Sequence, residues 1–149
     1  MNILIEFINN GILLHSLLSW IIAQILKFII GLIKEKRFSI TLLLSSGGIP
    51  SSHSATVCAL ATSAGLKEGC NSSIFAISFI LAFIVMYDAA GVRRAAGEQA
   101  KILNRMMRDL EEGRTENMPD ELKELIGHTP LEVLAGSILG ILIPFIIKV

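Results

Sequence analysis

The chain has 149 residues, of which 52% are hydrophobic and only 17% charged, with a mean hydropathy of +0.65. That profile suits lipid better than water, and a length of this order allows one domain, here residues 1–149. Thirteen basic residues balance thirteen acidic ones, and no basic tract is interleaved with aromatics, so nothing points to nucleic acid.

A bilayer core takes about 20 apolar helical residues, and four segments approach that length, near 11–33, 50–67, 73–90 and 131–148. No basic n-region or convincing cleavage site flanks the first, so it reads as a retained span rather than a removable signal. Within it, Lys27 would cost about 2.5–3.5 kcal/mol at mid-bilayer without compensation. Snorkelling toward the nearby Lys34 is the plain account, but Gln24 lies on the same face, and two polar groups facing one way suggest protein or water there.

The run Ser45 to Ser54 leads into the second span with a Gly pair, a proline suited to a first helical turn, Ser51, Ser52 and His53. Unpaired first-turn N–H groups, hydroxyls and the positive end of a helix dipole suit an anion such as phosphate. An ordinary helix start explains the serines and the proline, but not the histidine. The third span ends in Asp88, Arg93 and Arg94. The arginines are either topology signals or phosphate forks, and Asp88 needs a partner.

The connection 91–130 holds most of the charge. In its first half Ile102, Leu103, Met106, Met107 and Leu110 recur on one face, which predicts an amphipathic helix lying on the membrane or packed on the bundle, ended by Gly113 to Pro119. The last span opens with His128, Thr129, Pro130 and Glu132. Thr129 to Glu132 fits a capping box, which leaves His128 unexplained; no further ligands of convincing spacing support a metal. Cys58 reads as a small core residue and Cys70 as a spare loop thiol.

Three Lys or Arg in 34–37 and seven in 91–130, against Lys67 and Lys148, put the two basic loops in the cytoplasm. The expected fold is therefore an all-α polytopic membrane bundle, of about four transmembrane helices and an amphipathic cytoplasmic helix. In that topology Lys27, His53, Asp88 and His128 gather at one face and His15 at the other. Gly31, Gly65, Gly136 and Gly140 offer places for close helix contact, and a homodimer is plausible.

Pro50-Ser51-Ser52-His53 and, far along, His128 to Glu132 resemble the second and third signatures of the type 2 phosphatidic acid phosphatase and vanadium-dependent haloperoxidase superfamily. With Asp88 to Arg94 and Gly97 to Gln99, the resemblance is closer to its small divergent bacterial and plant branch. It implies His128 as a nucleophile that becomes phosphorylated, Glu132 as the carboxylate orienting it, and His53 as the acid that protonates the leaving oxygen. Ser52 stands where the superfamily usually has Gly, Glu132 where it has Asp, and Leu122 where an arginine is usual; Lys27, Arg93 and Arg94 are the available replacements. The expected function is cofactor- and metal-independent hydrolysis of a phosphomonoester or pyrophosphate on a membrane lipid, at the cytoplasmic side of a bacterial plasma membrane. Phosphate would be held by Lys27, Ser51, Ser52, Arg93 and Arg94, with Gln24 and Asp88 in support. A non-enzymatic anion- or phospholipid-binding protein is the main alternative, and a transporter a third reading.

Overall fold

A computed structural model describes residues 3–35, 48–111 and 128–147, the side chains of 3, 34–35, 92–94 and 108–111 aside. The loop after the first span as far as Gly47, the Gly113 to Pro119 break and Leu122 lie outside them. The described residues form six helices: α1 (Ile3–Ile8), α2 (Gly11–Glu35), α3 (Ser52–Glu68), α4 (Ser73–Ala90), α5 (Val92–Glu111) and α6 (Pro130–Ile146). The four apolar segments near 11–33, 50–67, 73–90 and 131–148 coincide with the helices α2, α3, α4 and α6 to within a few residues. The short α1 was not anticipated.

The bundle is arranged around α3, which packs against α2, α4 and α6, while α4 and α6 touch each other only sparsely. The reason is side-chain size. α3 buries Ser52, Ser54, Ala55, Cys58, Ala59, Ala61, Ser63 and Ala64, so neighbouring backbones come close on several sides of it. The surrounding helices turn their large apolar residues outward: Ile25 and Ile29 on α2, Ile77 and Ile84 on α4, Leu134 and Phe145 on α6 are all exposed. Small residues inside and large aliphatic ones outside reverse the usual soluble pattern and fit a lipid surround. α2 and the stretch from α4 into α5 are long and apolar enough to cross a membrane, and α6 is a shorter apolar helix.

α6 meets α3 through glycines. A Cβ on Gly136 would run into the carbonyl of Ser51, and one on Gly140 into that of Ala55, with the Cβ of Cys58 at 2.9 Å. A Cβ on Gly65 would lie 3.0 Å from the ring of Phe75. Three of the four glycines marked for close contact are therefore used within the chain.

α4 passes almost directly into α5 at Gly91, whose N–H donates to the carbonyl of Tyr87 and whose carbonyl accepts from Ala95. Along α5, Ile102, Leu103 and Met106 are exposed, while Gly97 and Asn104 are buried. The expected amphipathic helix is present, and Ile102, Leu103 and Met106 of its apolar stripe face away from the described bundle. Cys58 is buried and Cys70 exposed, both as free thiols.

Candidate functional site

His128 enters the bundle because α6 has a fixed start. Thr129 caps the helix by accepting from the N–H of Glu132, Glu132 reaches back to the N–H of Thr129, and Pro130 takes the first helical position. The residue before the cap is thereby pinned. His128 donates its backbone N–H to the carbonyl of Ala89 near the end of α4, at 3.1 Å.

His128 is 3% exposed. Its Nδ1 lies 3.1 Å from Oε2 of Glu132, so the same carboxylate that closes the cap also holds the imidazole. In the tautomer that donates Nδ1–H to Glu132, the lone pair resides on Nε2. That Nε2 is buried without a hydrogen-bond partner among the described residues, a position that costs about 1–3 kcal/mol unless something fills it.

His53 stands in the first turn of α3 with its ring exposed; the two ring centres are 6.1 Å apart and the planes are tilted by 60°. Rings at that separation can contact one tetrahedral anion between them. The two helix starts are joined by the backbone, the N–H of Ser51 donating to the carbonyl of Glu132 at 3.0 Å.

Ser51 also caps α3, its hydroxyl accepting from the N–H and the Oγ–H of Ser54. Ser51 is fully buried, with its amide and its hydroxyl oxygen engaged within the two helix starts. Pro50 precedes this cap rather than occupying the first helical turn, because the Ser51 hydroxyl takes the capping position.

Lys27 is 6% exposed and close enough to Glu132 for their charges to interact. It points into protein rather than along a lipid face. A Cβ on Gly48 would lie 3.1 Å from its Cγ and Cδ, and Gly48 has φ +108°, so that position suits glycine twice over. Gln24 and Asp88 are half-buried. Arg93 and Arg94 fall in the first turn of α5, and their side chains lie outside the described residues. At the other end of the bundle, His15 contacts the Ser63 hydroxyl at 2.9 Å through Nδ1 and the Ile147 carbonyl at 2.8 Å through Nε2, joining α2, α3 and the end of α6.

Sequence reasoning missed the carbonyl of Ala89, the Ser51 to Glu132 bond and Gly48. Only Gly48 carried a signal, as part of a Gly pair.

Fold and site together define an all-helical membrane protein that keeps a histidine–carboxylate pair and a second histidine where α3 and α6 begin and α4 ends, with a buried lysine of α2 within reach of the carboxylate's charge. The chain belongs to the Divergent PAP2 family, which matches residues 8–143. It is 41% identical over 152 aligned positions to the uncharacterized membrane protein YuiD of Bacillus subtilis (strain 168), covering 95% of this chain and 96% of that one. No solved structure matches it.

Proposed function

We propose that this protein is a membrane lipid phosphatase that cleaves a phosphomonoester or pyrophosphate through a phosphohistidine. The observation that carries the proposal is the buried Nε2 of His128, without a hydrogen-bond partner among the described residues, backed by Glu132 on the other ring nitrogen and with the two histidine ring centres 6.1 Å apart. Nε2 attacks phosphorus, forming an N–P bond as the P–O bond to the lipid breaks, and His53 gives a proton to the departing oxygen. Water then attacks the phosphohistidine, His53 takes its proton, and inorganic phosphate leaves with Nε2 restored.

Charge on the equatorial oxygens needs the most help in phosphoryl transfer. Lys27, Ser52, the first-turn amides of α3 and the guanidinium groups of Arg93 and Arg94 are the groups to supply it. With the basic loops in the cytoplasm, the site opens to that side at headgroup level.

The test is phosphate release by purified protein across phosphatidic acid, phosphatidylglycerophosphate and a polyprenyl diphosphate. His128→Ala should lower turnover by at least about a thousandfold while the helical content stays unchanged. Equal release by the two proteins would end the proposal. Vanadate binding without any acid-labile phosphohistidine would instead identify an anion-binding protein that does no chemistry.

A further inference from the structure

A cavity of about 260 Å³ lies between α3, α4 and α6. Its lining is apolar or small: Cys58, Ala61 and Thr62 from α3, Phe79 and Ala82 from α4, and Ser137 from α6 are among it. It forms because α4 and α6 both pack on α3 but separate from one another, and because α3 brings no large side chain to fill the gap. The hydroxyl of Ser137 is satisfied by the carbonyl of Leu134 at 2.8 Å, so it makes no polar demand on an occupant.

The position of this groove matters more than its size. Cys58 comes five residues after His53, and Ser137 five after Glu132, on the same helices. Each offset is roughly 7 Å of helix. Met86, which also lines the groove, is three residues from Ala89, whose carbonyl holds His128. The groove therefore begins roughly 7 Å further along α3 and α6 than His53 and Glu132, and runs away from that end of the bundle between the three helices. Phe75, Phe79 and Phe83, four residues apart on α4, form an aromatic wall down its length, the first two with ring centres 5.8 Å apart.

We infer that this groove is the binding site for the hydrocarbon chain of the lipid whose phosphate meets His53 and His128. The inference rests on the phosphatase reading for the location of the phosphate, and it adds how an amphiphile is held for reaction. A chain seated between α4 and α6 places its head against the exposed His53 ring, and burying it against Phe79, Phe83 and Ala82 contributes binding energy remote from the reacting atoms. A lipid that merely surrounds the protein would have no reason to prefer this cleft over the outward faces of α4.

Photolabelling of the full chain in lipid nanodiscs tests this. Two probes carry a diazirine midway along the chain, one a diacylglycerol monophosphate and the other a prenyl monophosphate. Groove occupancy predicts adducts at Phe79, Ala82 or Phe83 with at least one probe, and few at the exposed Ile77 and Ile84 on other faces of α4. Unlabelled lipid phosphate should reduce the groove adducts by roughly tenfold or more, whereas the same lipid without its phosphate should not.

Adducts spread evenly over α4, or displaced equally by the dephosphorylated lipid, overturn the inference. The two probes separate acyl from isoprenoid chains. Because labelling needs no turnover, phosphate-dependent groove adducts in a protein that releases no phosphate would keep the groove and end the phosphatase reading; phosphate release with evenly spread adducts would do the reverse.

Discussion

Glu132 carries two duties that can be separated by one substitution. Its carboxylate accepts from the N–H of Thr129 and from Nδ1 of His128, so it completes a helix cap and orients a ring at once. Glu132→Gln keeps an oxygen for both contacts and removes only the charge that stabilises an imidazolium or a phosphohistidine. The expected result is a loss of about a hundredfold or more in phosphate release, with stability changed by less than about 1 kcal/mol. Both are measured on one preparation, by turnover and by thermal unfolding in detergent. A loss of activity tracking a loss of fold would mean that the carboxylate matters only as a cap.

At the scale of helices, everything depends on how closely α6 can lie against α3. His53 rides on one and His128 is anchored at the start of the other, so their 6.1 Å separation is set by that crossing. Gly140 sits where a Cβ would strike the carbonyl of Ala55, and a larger side chain there must push the backbones apart. Gly140→Leu should therefore destabilise the bundle by about 1–3 kcal/mol or more and lower activity further than the stability loss explains. Leu142→Ala, at an outward position 47% exposed, should do neither. Circular dichroism melting and phosphate release on the pair separate packing from chemistry. The capping box of α6 was readable from Thr129, Pro130 and Glu132 alone, because a cap is a local hydrogen-bonding problem solved within four residues.

For the whole molecule, the loop charges predict which way the bundle faces. The turn between α3 and α4 holds Cys70, an exposed free thiol, while the other cysteine, Cys58, is buried. A cytoplasmic site at the opposite end of the bundle requires Cys70 to face outward. Intact cells treated with a membrane-impermeant maleimide should label the protein once, at Cys70, and a Cys70→Ser variant should stay unlabelled. Labelling only after the cells are broken would invert the orientation and move the site to the outer surface.

The sequence by itself determined the helical class, the near positions of the four long apolar segments, the start of α6 and the two histidines worth watching. Those features follow from hydropathy period, capping chemistry and the scarcity of charge, all properties of contiguous residues. Only the tertiary structure decided that α3 is the centre and not merely another apolar segment, since composition cannot say whether a neighbour is lipid or protein. It also decided that Ser51 is a joint between two helix starts, that Lys27 is buried within reach of the Glu132 charge, and that an apolar groove opens between α3, α4 and α6. Each of these depends on residues distant along the chain meeting across helix crossings, and the closeness of those crossings is set by glycines and alanines whose partners hydropathy does not reveal.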